Sequence, residues 1–385
     1  MELRGYTQED IHGKRVLMRC DLDVAVNSKG AVDEYHDLRL ERVVPTLVEL
    51  FSFGAKQVVL IGHRGRPKGA LEPGLSLAPV CDRLAELCRA EGLDEPISFV
   101  EDIEADPLSH CDQDVVMLEN LRFWPGEKDC DAGFARSLAR WGEVYVNDAF
   151  GASHRHDASV TLLATLLGAA FAGRGLAAEV ERLEEFFAGI RKPFVAVVGG
   201  AKISTKLPLL KILSLKADSV LVGGALANTI LAAHGKAMGA SLVEESMLNK
   251  ARELSGSAFV LPEDAVLASG AIVPVDRISP KDAMLDIGPR TIKKFVQRIQ
   301  EAHTILWNGP LGAFEDKAFA PGSEQIGRAI AENTRASSLA GGGETVELVE
   351  RLGIAPGIDF VSTGGGAMLT FMAGGDMPGL DALRV

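Results

Sequence analysis

Residues 193–210 read "PFVAVVGGAKISTKLPLL": a short β-branched run, stopped by Gly199 and Gly200, then a segment of helical character. A strand that ends in glycine and turns into a helix is the repeating unit of parallel α/β folds. The same order recurs outward in both directions. Toward the C-terminus it is carried by "SVLVGGALAN" (219–228), "TILWNGPLGAFE" (304–315), "SLAGGGET" (338–345) and "FVSTGGG" (360–366). Toward the N-terminus it is carried by "RVLMRCDLDV" (15–24), "QVVLIGHRGRP" (57–67), "DVVMLENLRF" (114–123) and "VYVNDAFGASHR" (144–155). Alternation of this length predicts parallel sheets with helices on both faces, and so three-layer α/β domains. In such sheets ligands bind beyond the carboxyl ends of the strands.

What gathers at those ends differs between the halves. The first half brings Arg19, Asp21, His63, Arg64, Arg66, Arg122, His154 and Arg155. Guanidinium groups hold phosphate and carboxylate oxygens bidentately, so this set suits a small, highly anionic ligand. The second half brings Gly199, Gly200, Gly223, Gly224, Gly341 to Gly343 and Gly364 to Gly366, with Lys202 and Lys206. Glycine turns with exposed N–H groups suit a larger ligand lying against backbone, such as a nucleotide. The division falls near "GRGLAAEVERLEEFFAGIRKP" (173–193), expected to be a long helix between two units.

Bulk properties agree with two such units. A chain of 385 residues suggests roughly two to three domains. With 47% hydrophobic and 24% charged residues it has the composition of an ordinary globular protein. A net charge of −13 and a pI near 5.2 argue against nucleic-acid and anionic-membrane partners. The start, "MELRGYTQEDIHGKRV", shows neither a signal-peptide core nor a transit pattern. The most apolar run, "VTLLATLLGAAFAG" from Val160, reads as a core helix rather than a membrane span. Five cysteines (Cys20, Cys81, Cys88, Cys111, Cys130) without CxxC spacing fit a reduced, cytoplasmic protein.

Individual motifs refine the chemistry. "GHRGRPKG" (62–69) concentrates cations in a turn that a parallel strand delivers to the ligand edge. Lys202 and Lys206, four apart, share a face if helical, but the Walker A spacing is absent. Asn308 and Glu315 flank a Gly-Pro turn, where an acid can accept hydrogen bonds from ribose hydroxyls. In "LAGGGETVELVERLG" (339–353), Val346, Val349 and Leu352 recur at helical spacing, and Gly353 reads as the stop. His156 and Asp157 lack a companion Ser or Cys motif, and no histidine spacing of the HExxH kind is present. The residues alone lead to an α/β protein that joins a nucleotide to a small polyanion. Phosphoryl transfer fits this pair of ligands, since it needs positioning and charge neutralisation more than a nucleophilic side chain.

Taken in order, "RCDLDV", "GHRGRPKG", "LENLRF", "NDAFGASHR", "GGAKISTK", "LDIGPRT", "WNGPLGAFE", "GGGET" and "STGGGA" resemble the phosphoglycerate kinase family across nearly the whole chain. The resemblance implies two Rossmann-like domains joined by a hinge helix. Residues 1–172 would bind phosphoglycerate, 173–372 the nucleotide, and the tail 373–385 would return to the first domain. It also implies a monomer that transfers phosphate directly between 1,3-bisphosphoglycerate/ADP and 3-phosphoglycerate/Mg-ATP, with closure that excludes water. Asp21, Arg39, His63, Arg66, Arg122 and Arg155 match phosphoglycerate-binding positions, and Asp23, Arg64 and Gly65 lie in the same loops. Arg39 would also stabilise the phosphoryl group in flight. Lys202 and Lys206 match the lysines that hold the nucleotide phosphates and the migrating group; Gly364 to Gly366 match the turn that faces it. The nucleotide pocket would draw on Gly200, Ala201, Gly224, Asn308, Pro310, Gly342, Gly343 and Thr345, with Glu315 on the ribose and Glu344 on Mg²⁺. Arg19 receives no contact from the resemblance.

Five positions depart from the family pattern. Asp23 stands where Asn is usual, Ala25 for Pro, Gly62 for Ser, Arg64 for Leu, and Glu344 for Asp. Asp23 should weaken anion binding unless protonated or paired, and Arg64 is expected to compensate it or to enlarge the anion site. Glu344, one methylene longer, should shift the carboxylate or insert a water, because Mg²⁺ demands near-octahedral geometry. These departures also admit a paralogue that phosphorylates another small carboxylate, or a weakly active relative with a binding or regulatory role. Intact Arg39, Lys202, Lys206 and Gly364 to Gly366 count against the second of these.

Overall fold

The computed structural model describes residues 1–32, 37–256 and 258–385. Two compact units divide the chain: Met1–Arg182 together with Gly375–Val385, and Leu183–Gly374. The break lies inside the long helix Arg174–Ala188 that the 173–193 pattern announces.

In the first unit the apolar runs form β1 (Arg15–Arg19), β2 (Gln57–Ile61), β3 (Ile97–Val100), β4 (Val115–Leu118), β5 (Val144–Asn147) and β6 (Ala170–Ala172). They make one parallel sheet in the order β3-β4-β2-β1-β5-β6. Burial on both faces explains why β2, β4 and β5 read as continuous rather than alternating apolar runs. Helix Ala78–Ala90 buries Val80, Cys81, Leu84 and Cys88 along one stripe, so with Cys20 three of the cysteines are core residues, and all five are free thiols. The run from Val160 is not one helix. Helix Ala158–Leu167 ends at Gly168, at a φ of 69°, and Ala170–Ala172 becomes the edge strand. The C-terminal residues 375–385 pack in this unit, with Leu380 and Leu383 buried and Gly379 N donating to Ser153 O at 2.9 Å.

The second unit contains β7 (Phe194–Val198), β8 (Ser219–Val222), β9 (Phe259–Val260), β10 (Asp264–Leu267), β11 (Ile272–Pro274), β12 (Met284–Ile287), β13 (Thr304–Asn308), β14 (Ser337–Gly341) and β15 (Phe360–Ser362). Six of these form a second parallel sheet, ordered β15-β14-β13-β7-β8-β9. The other three form a small antiparallel sheet, β11-β10-β12, which the sequence pattern did not announce. Helix Pro289–Glu301 buries Ile292, Phe295 and Ile299 on one face, and each such side chain contributes about 1.5–3 kcal/mol on leaving water. Among the described residues no helix is long and apolar enough to cross a membrane.

Register decides where the turns arrive. In the first sheet Arg19 pairs with Ile61 and with Asn147. In the second, Val198 pairs with Asn308 and Val222, and Gly341 with Ser362. Each set of turns therefore leaves its sheet at one level. Strand order reverses beside β1 in one unit and beside β7 in the other, the position where open α/β sheets leave a crevice.

Candidate functional site

The first crevice is cationic. Arg39, on helix Asp37–Glu41, donates through Nη1 to Asp21 Oδ1 at 3.2 Å and to the carbonyl of Asp23 at 2.8 Å. Asp23 Oδ1 accepts from the N–H of Gly65 at 2.8 Å, and Asp23 Oδ2 lies 3.8 Å from His63 Nε2. Arg122, almost fully buried, bonds Gly65 O at 2.7 Å and Asp157 Oδ2 at 3.3 Å. Burial pushes the His63 imidazolium well below its ordinary range, and Arg19, Arg122, Arg155 and Arg39 push in the same direction. The ring is therefore neutral within a ring of guanidiniums. The buried Nε atoms of Arg122 and Arg155 and Nδ1 of His154 have no hydrogen-bond partner. The two guanidinium Nε–H groups are donors, and buried donors left unmatched in this way are unusual in native proteins and suit an acceptor-rich ligand nearby. Arg66 is exposed on the same loop.

Two of the departures acquire a physical reason. Arg64 directs Nε to Val24 O at 2.9 Å and Nη1 to Gly74 O at 2.9 Å and Ser76 O at 3.1 Å. It thus ties down the backbone beside Asp23, and it does not pair with the Asp23 carboxylate directly. At Gly62 a Cβ would meet Leu22 Cδ1 at 2.6 Å, so glycine accommodates the leucine that fills that space.

The second crevice holds a cavity of about 220 Å³. Its floor is backbone from three turns, around Gly200, Gly224 and Pro310, and its walls include Ala201, Leu311, Glu315 and Glu344. Lys206 Nζ donates to Asn308 O at 3.1 Å. Burial pushes its ammonium down to about 8, opposed by the nearby Glu344 carboxylate. Lys202 and Lys206 are not helical neighbours: helix Leu207–Lys216 starts after both, and they belong to the turn that leaves β7. Helix Gly343–Leu352 begins at the glycines, with Glu344 in its first turn and Gly353 as a left-handed cap at a φ of 63°. Asn308 and Thr345 lie beneath this surface. Asn308 Nδ2 donates to Gly341 O, while Thr345 Oγ1 accepts from Gly309 N at 2.7 Å. Gly364 and Gly365 follow β15 and precede helix Gly366–Met372, Gly365 at a φ of 50°.

Some of the cavity wall escaped the sequence reading. Asn228, Leu242, Met284 and Asp286 all line it, and Asp286, accepting from Ile287 N and Gly322 N, is raised by burial to about 7. The quoted "LDIGPRT" was the available signal for Asp286.

Lys206 yields a testable pH dependence. A polyphosphate beside it favours the charged ammonium and raises its pKa. Nucleotide binding should then take up a proton above pH 8, and affinity should fall as pH rises through about 8. Calorimetric titration in buffers of different ionisation enthalpy reads this directly, and Lys206→Met should abolish the uptake. Binding without proton uptake at pH 9 in the unaltered protein would remove Lys206 from the phosphate contacts.

Comparison with known proteins converges on one family. A sequence model described as phosphoglycerate kinase matches residues 6–375. The phosphoglycerate kinase of Rhizobium leguminosarum is 42% identical, covering 97% of this chain and 96% of the relative. That of Rubrobacter xylanophilus is also 42% identical, over 100% of this chain and 98% of the relative. Among solved structures, phosphoglycerate kinase from Pyrococcus horikoshii superposes with a TM-score of 0.84 at 30% identity, covering 97% and 96% of the two chains. The enzyme from Coxiella burnetii superposes at 0.78 with 33% identity, covering 97% of each. With near-complete coverage in sequence and in fold, this chain belongs to the phosphoglycerate kinase family.

Proposed function

We propose that this chain catalyses reversible phosphoryl transfer between 1,3-bisphosphoglycerate and ADP, yielding 3-phosphoglycerate and ATP. One observation supports this reading above the others: a single chain carries two strand-end crevices of complementary chemistry. One gathers guanidiniums around a neutral histidine, and the other is a glycine-floored cavity with acids in its wall and a half-buried lysine on the turn that leaves β7. In the forward direction the bond between phosphorus and the acyl oxygen of 1,3-bisphosphoglycerate breaks, and a β-phosphate oxygen of ADP takes the phosphoryl group. Arg122, Arg155 and the exposed Arg66 would hold the acid's phosphate. Asp21 and His63 would orient its polar groups, and Arg39 would meet the charge of the migrating group. On the nucleotide side, Lys202, Lys206 and the N–H groups of Gly364 and Gly365 would neutralise the phosphates, with Glu315 on the ribose. The five free cysteines support a reducing, cytoplasmic setting, and we read the chain as a monomer.

Magnesium, when bound, supplies charge neutralisation to the phosphate oxygens. The residues present fit that ion as a companion of the nucleotide. Glu344 offers one carboxylate at the cavity, and the described residues contain no group of three or more His, Cys, Asp or Glu able to hold a metal. Mg²⁺ commonly binds through one or two carboxylates plus substrate phosphates. Glu344→Ala should therefore raise the Mg²⁺ needed for half-maximal rate by about tenfold, with Glu344→Asp close to the unaltered protein. An unchanged Mg²⁺ requirement would leave Glu344 as an acid that complements a helix N-terminus.

Steady-state ATP consumption with 3-phosphoglycerate, set against a panel of other small carboxylates, tests the reaction as a whole. Turnover confined to a different acid would overturn the proposal.

A further inference from the structure

Arg19 has no role in the reading above, yet it is among the largest fully buried side chains of the protein. It ends β1 and touches the acid crevice only through another residue. Its Nε donates to Ser159 Oγ at 2.9 Å, and Nη1 donates to the carbonyl of Cys20. Nη2 lies 2.7 Å from His63 Nδ1. A guanidinium has donors only, so Nδ1 must be the acceptor and the ring proton must sit on Nε2. Nε2 is also the nitrogen on the Asp23 side, 3.8 Å from its carboxylate.

Arg19 is itself held in a directed chain. Ser159 Oγ donates to Glu127 Oε1 at 2.6 Å, and Ser159 N donates to Glu127 Oε2 at 3.0 Å. Because the hydroxyl proton goes to Glu127, the oxygen is free to accept from Arg19. Glu127 is fully buried, which raises its carboxyl pKa, while Arg19 and the two hydrogen bonds from Ser159 favour the charged form that would balance a buried guanidinium.

We propose that Arg19, anchored by Ser159 and Glu127, is a positioning residue that locks His63 as the neutral Nε2–H tautomer, so that His63 donates a hydrogen bond to an acceptor oxygen of the acid substrate. This rests on the first crevice being the acid site. The charged groups facing the ring are Arg19, Arg39, Arg122 and Arg155 on the cationic side and Asp23 on the other. Burial, with the four guanidiniums acting in the same direction, keeps a second proton off the ring, so His63 works as a donor of fixed direction across the physiological range.

The test uses the full-length protein with ¹⁵N-labelled histidine, the His63 signals being assigned by their loss in His63→Gln. The expected spectrum is a neutral ring protonated at Nε2, unchanged from about pH 6 to about pH 8, on either side of the ordinary histidine value. Ser159→Ala removes the anchor with little change in volume, and there His63 should show mixed tautomers and titrate. The KM for 3-phosphoglycerate should rise about tenfold, as for the loss of one hydrogen bond, while the nucleotide KM stays unchanged. Glu127→Gln should act in the same direction, and Arg19→Lys, which keeps a donor, should restore part of the effect. A wild-type ring protonated at Nδ1, or a locked Nε2–H ring in folded Ser159→Ala and Arg19→Met alike, would overturn the proposal. The expected tautomer with His63 signals indifferent to saturating 3-phosphoglycerate would instead overturn the assignment of the acid site.

Discussion

Arg39→Ala is expected to lower kcat by about 10²–10³, the scale of removing one preorganised donor from a transition state, while leaving a folded protein. Phosphoryl transfer through a loose transition state spreads charge over three equatorial oxygens, and the protein's contribution is positioning and neutralisation. Arg39 stands in the cationic first crevice with Asp21 Oδ1 and Asp23 O among its guanidinium's partners, and it keeps 21% of its side-chain surface exposed. An already oriented charge has little reorganisation left to undergo as the transition state forms. Removing it leaves the buried Asp21 carboxylate without one partner, so folding should lose about 1–3 kcal/mol. Arg39→Lys keeps the charge and loses the planar fork, and should fall between the two. The decisive comparison is kcat against KM. A variant with unaltered kcat and a raised KM for 3-phosphoglycerate would make Arg39 a ground-state binder only.

The parts of the site that could be read from sequence were those carried by backbone order. A β-branched run followed by a polar or glycine turn marks a parallel strand and its carboxyl end together. His63, Arg122, Gly200 and Gly343 were placed on the correct edges by that rule alone. Side-chain direction was not legible. Arg64 sits in the most cationic turn of the chain, yet three carbonyls take its donors, and only a folded loop could bring Val24, Gly74 and Ser76 to it. Arg19 was visible as a strand-end cation, but its meaning depends on Ser159, 140 residues away. The antiparallel sheet was missed because β11 is three residues long, exposed at both ends, and finishes at Pro274, so it carries no burial pattern to detect. Lys202 and Lys206 looked like a helical pair because spacing four is the helix repeat. Pro208 in the first turn shows where the helix starts instead.

Gly199→Ala should be the most damaging one-methyl change in the second crevice. Gly199 N donates to Asn308 O at 3.0 Å, which draws the turns after β7 and β13 together. A Cβ at Gly199 would lie 1.9 Å from Pro310 O and 2.6 Å from Pro310 C. Those atoms belong to the backbone and have no rotamer to yield. The neighbouring turn is just as close: Gly224 N donates to Leu311 O at 2.8 Å, and its Cβ would stand 2.9 Å from both N and O of Gly200. The floor of the cavity is thus three backbones in contact, and a methyl group between them must push them apart. Overpacking of this kind costs about 3 kcal/mol. At about 2–4 °C per kcal/mol for a unit of this size, the Tm should fall by about 6–12 °C. The nucleotide KM should rise, with the KM for 3-phosphoglycerate unaffected. Gly343→Ala is the matched control. Its Cβ would meet nothing within 4 Å, and it opens a helix, where alanine is the better residue. Its Tm should hold or rise, so any loss of nucleotide affinity in that variant reports ligand approach alone. A Gly199→Ala protein that melts within about 2 °C of the parent would show that the turns can separate at little cost. The site's glycines would then answer only to the nucleotide, with no share in packing the fold.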